Sequence, residues 1–251
     1  MIRPALEVAV ESTSQALTAR EAGADRVELC SALDVGGITP SIGAVEALVA
    51  AGVPAHVLIR CRPGDFLYTE DELDVMVRDI TAIVAAGADG VVLGALRSDG
   101  GIDETATQRL VAAAHQGARA ITPYITFHRA IDHSADPVRA AAELGRLGVD
   151  RVLTSGGRAS VAAGLRDGII EQMTRSAGSV EVMAGGGATV EDVPALVRCR
   201  VAAVHFSARG RASPAPSQRL SVPLGPSDGH RAPTSTDPHL VRAMADALDS
   251  R

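Results

Sequence analysis

Gly23-Ala24-Asp25-Arg26-Val27-Glu28-Leu29, Gly87-Ala88-Asp89-Gly90-Val91-Val92-Leu93 and Gly148-Val149-Asp150-Arg151-Val152-Leu153-Thr154 are three versions of one phrase. Each follows an Ala/Leu-rich stretch with helical character. Glycine ends a helix in the left-handed conformation, a short polar turn follows, and an apolar, largely β-branched run opens a strand. The phrase marks helix-to-strand junctions, and repetition of such junctions marks βα units.

Working outward from these junctions, eight strands are expected to begin near Leu6, Arg26, His56, Gly90, Ile121, Arg151, Val180 and Ala202. The gaps run from about 20 to 34 residues, a span that fits a strand, a helix and two loops. Helix starts lie between them. Thr69-Glu70-Asp71-Glu72 reads as a capping box, Thr189 as an N-cap and Asp136-Pro137 as a cap with a first-turn proline. The fold expected is an α/β (β/α)8 TIM barrel in a single domain over residues 1–251. An open doubly wound sheet is the alternative, and the absence of GxGxxG after the first strand disfavours it. Residues 209–235 are rich in Pro, Ser, Gly and Arg and read as a flexible insertion before a last helix opened by Asp237-Pro238.

Composition narrows the chemistry. Of 251 residues, 46% are hydrophobic but only 2% aromatic, so the core must be Val, Ile, Leu and Ala, as in parallel strands buried on both faces. All 24 basic side chains are arginine. Without lysine there is no Schiff-base chemistry and no Walker phosphate loop, and no nucleotide cofactor is expected. The formal net charge of −6 argues against nucleic acid and anionic membranes as partners. The N-terminus lacks a secretory pattern and no apolar run is long enough to span a bilayer, so a cytoplasmic location is expected. Cys30, Cys61 and Cys199 show no disulfide pattern.

In a barrel of this kind functional groups sit at the C-terminal ends of the strands. The polar residues that interrupt the apolar runs there are the candidates. Glu7, Glu28, His128, Asp132 and His205 are candidate catalytic groups. Arg60, Arg62, Asp65, Arg129, Ser155, Gly156, Gly185, Gly186 and Ser207 are candidates for holding a substrate or anion. Alternation of side chains puts Glu28 with Cys30, Arg60 with Arg62, Thr126 with His128 and His205 with Ser207 on common faces. If those faces point inward, the charges converge on one mouth. The Gly156-Gly157 and Gly185-Gly187 turns could let an anion approach bare amides, with Arg60 or Arg62 as clamp. His128 and His205 with Glu28 or Asp132 could form a mixed nitrogen and oxygen metal site. Copper(I) prefers thiolate, and Cys30 is the metal candidate for it. An ion-pair network that only holds the barrel together is the structural alternative.

The same residues carry a resemblance. Glu28-Leu29-Cys30-Ser31-Ala32-Leu33, Gly36-Gly37-Ile38-Thr39-Pro40-Ser41, Gly64-Asp65-Phe66 with Tyr68, and Gly90-Val91-Val92-Leu93-Gly94-Ala95-Leu96 resemble the CutC family, named for copper homeostasis. Thr126-Phe127-His128-Arg129-Ala130 with Asp132, Leu153-Thr154-Ser155-Gly156, Met183-Ala184-Gly185-Gly186-Gly187 and His205-Phe206-Ser207-Ala208 continue the match in order. The resemblance implies a (β/α)8 barrel in the cytoplasm, assembled as a homodimer or higher homo-oligomer, with a role in copper(I) handling. The pocket residues it carries over are Glu7, Glu28, Arg60, Arg62, Asp65, His128, Arg129, Asp132 and His205. The chain departs from the family pattern in having Cys61 where proline usually separates the two arginines, and in the segment after Ala208. Two functions are therefore expected to compete: a copper-binding or copper-homeostasis protein, and an enzyme acting on a small anionic, phosphorylated or carboxylated metabolite.

Overall fold

A computed structural model describes residues 3–118, 122–211 and 234–250. Eight parallel strands close into a barrel in chain order. They are β1 (Ala5–Val10), β2 (Arg26–Leu29), β3 (Ala55–Leu58), β4 (Gly90–Leu93), β5 (Tyr124–Phe127), β6 (Arg151–Thr154), β7 (Glu181–Ala184) and β8 (Ala203–Phe206). Closure is made by β1 and β8, with Glu7 opposite His205 in the register. The helices between and after them are α1 (Thr13–Glu21), α2 (Ile42–Ala50), α3 (Glu70–Ala85), α4 (Glu104–Gly117), α5 (Pro137–Leu144), α6 (Val161–Arg166), α7 (Ile169–Ser176), α8 (Val193–Arg198) and α9 (Pro238–Asp249). Seven of the expected strand starts fall within one residue of those observed. The fifth, at Ile121, lies outside the described residues, and β5 begins at Tyr124.

Local chemistry explains the element ends. The Thr69 hydroxyl accepts from the Glu72 amide, and the Glu72 carboxylate accepts from the Thr69 amide, which closes the capping box of α3. Leu73, Met76, Ile80, Ile83 and Val84 then recur at helical spacing and bury one face. Gly23, Gly87 and Gly148 all have positive φ. The aspartates that follow are working parts of the junction. Asp25, Asp89 and Asp150 each accept an amide from the neighbouring strand, at Leu6, Ala55 and Ile125.

The large apolar core lies between strands and helices. Among the described residues, two small apolar clusters lie inside the barrel, Cys30 with Leu58 and Val92, and Leu153 with Met183 and Ala203. The remaining inward positions are largely polar. Arg209–Arg211 and Thr234–Thr236 form a two-stranded antiparallel ribbon, β9 and β10. The expected insertion at 209–235 thus begins and ends in paired backbone, and its residues 212–233 lie outside the described residues.

Candidate functional site

Barrel closure assembles the first part of the site. Glu7 on β1 is wholly buried. Its Oε2 accepts from Arg26 Nε at 2.5 Å, and its Oε1 lies 2.9 Å from His205 Nδ1. Burial opposes a charge on Glu7, but the His205 hydrogen bond and Arg26 outweigh it, so the carboxyl titrates far below the usual carboxylate range. An ionised Glu7 fixes the tautomer: His205 Nδ1 carries a proton and donates it to Glu7. Glu28, on the adjacent strand, is 5% exposed and its Oε2 has no hydrogen-bond partner. Burial pushes its pKa up to about 7, with His205 lowering it and the Glu7 charge raising it. For His205 burial works against the charged form, and Glu28 and Glu7 overcome it, so its pKa rises. One ligand atom from each of Glu7, Glu28 and His205 lies within 4.8 Å of the others.

His128 follows β5 and caps the short 3-10 turn at Arg129–His133. Its Nδ1 accepts from the Ala130 amide at 3.2 Å, which leaves the proton on Nε2. That Nε2 is buried without a partner. Burial, with Arg60 adding to it, lowers the pKa of His128 to about 3, so the ring is neutral at physiological pH. The imidazole lies against the backbone of β4. A Cβ at Gly94 would sit 2.6 Å from two of its ring atoms, so only glycine leaves room for it.

Asp132, at the same turn, folds back onto the end of β6. Its carboxylate accepts from Thr154 Oγ1, Ser155 N, Gly157 N and Arg129 Nε, and its side chain is 4% exposed. Ser155 Oγ, 2.9 Å from Oδ2, is a fifth donor, and together they leave it no free lone pair for base chemistry; it braces the β5–β6 corner. Ser155 Oγ accepts from Arg129 Nη2 and lies within hydrogen-bond reach of the Arg158 carbonyl. Arg129 is thereby held on two sides, close against Gly186.

The two arginines of strand three part company. β3 ends at Leu58, so strand alternation does not extend to them. Arg60 is 6% exposed and turns inward, where its guanidinium donates to the carbonyls of Val35, Gly37 and Gly64 and lies over the Phe66 ring. Arg62 turns outward to Glu72, Asp65 and the Tyr68 ring. Arg62 and Asp65 are spent on one another and on the start of α3, and neither lines the cavity described next. Cys30 faces inward but sits fully buried in its apolar cluster, 3.7 Å from the Val10 carbonyl, and burial pushes its thiol pKa up.

A cavity of about 380 Å³ opens at the C-terminal ends of the strands. Glu28, Arg60, His128, Arg129, Gly186, His205 and Ser207, all candidates from the sequence, line it. Glu7 lies beneath His205; Asp132, Ser155, Gly156 and Gly185 stand behind the wall as supports. Phe66, Ala188 and Thr189 also line it and are not among the site candidates, although Phe66 belongs to a family motif and Thr189 reads as an N-cap. Below the cavity the barrel holds a second polar layer, none of whose residues is among the candidate site residues from the sequence. Arg151 bonds Glu181, Tyr124 bonds Glu181, and His56 stacks on Tyr124.

Residues 4–210 match the family model described as the CutC family. The chain belongs to the CutC family. A family protein CutC of Xanthomonas campestris pv. campestris (strain 8004) is 46% identical over 82% of this chain and 83% of its own length. One from Xanthomonas axonopodis pv. citri (strain 306) is 43% identical over 97% of this chain and 98% of its own. A solved CutC structure from Streptococcus agalactiae is 31% identical, covers 81% of this chain and 98% of its own, and superposes with a TM-score of 0.72. Among the described residues no helix is long and apolar enough to cross a membrane.

Proposed function

We propose that this CutC-family barrel is an acid–base enzyme for a small polar metabolite bound in the strand-end cavity. The observation that carries the reading is the buried Glu28 carboxyl, whose Oε2 has no partner, facing a histidine whose ring is oriented by Glu7. A glutamate with a pKa near 7 exists in both forms at working pH, which suits a group that takes a proton and returns it. His128 Nε2–H is a neutral, fixed donor in the same cavity, suited to a carbonyl oxygen. In the reaction favoured by this set, Glu28 takes a proton from the carbon beside a carbonyl. The electron pair moves to the oxygen hydrogen-bonded by His128, and the proton returns at a neighbouring atom. His205, held by Glu7, stabilises the ionised form of Glu28 from which the step begins.

The test is deuterium exchange in D2O, followed by NMR, across a panel of small phosphorylated and carboxylated hydroxycarbonyl compounds. Exchange with at least one compound, abolished in Glu28→Gln, is expected. A panel left inert by the unaltered protein, or exchange that survives Glu28→Gln, overturns the reading.

Copper homeostasis, the role carried in the name of the Streptococcus agalactiae relative, is the second reading. A copper(I) site at Cys30 is poorly supported by the donor chemistry: the thiol is buried, held protonated and surrounded by Leu58 and Val92. The better metal donors are Glu7, Glu28 and His205, a carboxylate and imidazole set for a harder divalent ion. Copper(II) or zinc(II) titration that is lost in Glu28→Gln and retained in Cys30→Ser would favour this reading over proton transfer. We place the protein in the cytoplasm, in keeping with three free cysteines. Assembly into a homodimer or larger homo-oligomer rests on the family resemblance, and light scattering in solution tests it.

A further inference from the structure

Two features of the cavity are not used by the proton chemistry above, and both ask for negative charge. The first is Arg60. It is a nearly fully buried guanidinium that forms no ion pair with any carboxylate among the described residues. Its Nη1 and Nη2 are occupied by neutral carbonyls, and its Nε is buried without a partner. A buried cation without a counter-charge is costly. The cavity it lines is the place from which a counter-charge can come.

The second lies across the cavity, after β7. Gly186 and Gly187 have φ of +104° and +71°, a conformation only glycine adopts without strain. The N–H groups of Gly186, Gly187 and Ala188 meet no acceptor among the described residues. Successive amides freed in this way form a concave anion-binding nest. Arg129 lies against the same turn: a Cβ at Gly186 would be 3.0 Å from the guanidinium carbon. Asp132 and Ser155 hold Arg129 by Nε and Nη2, and Nη1 is left for a ligand. The Asp132 charge behind it is already balanced by the amides and hydroxyl that bond it, so it does not repel an anion at the nest.

We propose that Arg129 Nη1 and the Gly186–Ala188 amides form a phosphate subsite, so that the substrate is a phosphate monoester. The inference rests on reading the cavity as a substrate site and adds its substrate class. A tetrahedral dianion suits several converging donors better than a planar carboxylate does, and Arg60 supplies a second positive charge within the same cavity. The clamp therefore differs from the Arg60 and Arg62 pair that the sequence suggests. Arg62 is turned away to Glu72, and Arg129 takes its place because the Asp132 brace points it at the glycine turn.

Calorimetric titration with inorganic phosphate tests the subsite, with acetate as the planar control. Binding at one site per chain is expected, with acetate at least tenfold weaker. Arg129→Ala is expected to weaken phosphate at least tenfold. Because that change also takes a donor from Asp132, Ala188→Pro is the second arm. It deletes one N–H and no side-chain bond, and is expected to weaken phosphate at least fivefold. Circular dichroism confirms that each variant is folded. Arg62→Ala, outside the cavity, is expected to leave phosphate affinity within twofold; because phosphate binding is read without turnover, a failure of the proton-transfer reading would leave the subsite standing. Phosphate that does not bind, or that binds equally to the unaltered protein, Arg129→Ala and Ala188→Pro, overturns the proposal.

Discussion

The Asp132 corner and the Glu28 corner hold carboxyl groups of similar burial with opposite surroundings. Asp132 meets five donors from the end of β6 and its own turn. Glu28 keeps one oxygen with no partner and faces a carboxylate as well as an imidazole. The first arrangement stabilises a charge that never needs to move. The second leaves a proton undecided between two states at neutral pH. Burial alone therefore does not tell a structural carboxylate from a working one; the count of donors does.

Removing the brace should give the largest effect. Asp132→Ala strands Arg129 Nε, Thr154 Oγ1 and two amides, and should cost about 3–5 kcal/mol in urea denaturation. A loss under about 1 kcal/mol would mean that the corner repacks freely and that the contrast is misplaced.

The opposite sign is expected across the barrel. Folded Glu28 holds its proton up to about pH 7, whereas the unfolded side chain loses it near 4.5. The folded state thus binds more protons between those values, and stability falls as pH rises through that window. Glu28→Gln removes this penalty. It should stabilise the protein at pH 8 by on the order of 3 kcal/mol, with the gain shrinking as pH falls through about 7 and gone below about pH 4.5. Equal melting temperatures for the two proteins at pH 8 would count against a raised pKa.

His128 gives a smaller, packing-borne effect. Gly94→Ala places a methyl against its ring and should cost roughly 1–3 kcal/mol by forced rearrangement. Acid should act in the same region. The folded ring resists protonation to about pH 3, while an unfolded histidine takes a proton near 6.5. Its contribution to stability is therefore present above 6.5 and is lost as pH falls towards 3. Smallest of all, Arg62→Ala breaks a partly exposed pair at the start of α3 and should cost about 0–1 kcal/mol. Arg62→Ala should also leave ligand binding in the cavity unchanged.

The sequence makes the barrel legible because its junctions are chemical: glycine releases the helix, aspartate catches the next strand, and the pattern repeats at Asp25, Asp89 and Asp150. Alternation within a strand groups Glu28 with Cys30 and His205 with Ser207 without saying which face is inward; barrel closure turns Glu28 and His205 to the cavity. Alternation fails where the strand has ended. β3 stops at Leu58, so whether Arg60 and Arg62 share a side depends on loop backbone that alternation does not describe. The capture of Arg60 by carbonyls at 35, 37 and 64 depends on two loops meeting, and the bonds to Asp132 depend on a 3-10 turn folding onto β6. Neither leaves a local signature. The lower polar layer of Arg26, His56, Tyr124, Arg151 and Glu181 was within reach. Those residues sit first or second in their strands at inward parity, at the opposite end from the candidates.

The most direct measurement is a 13C NMR titration of the Glu28 carboxyl in the full-length protein, assigned by its disappearance in Glu28→Gln. The account predicts a midpoint near pH 7. A midpoint at the ordinary glutamate value near 4.5 would contradict it, because Glu28 would then be a permanently ionised partner in the barrel's charge network.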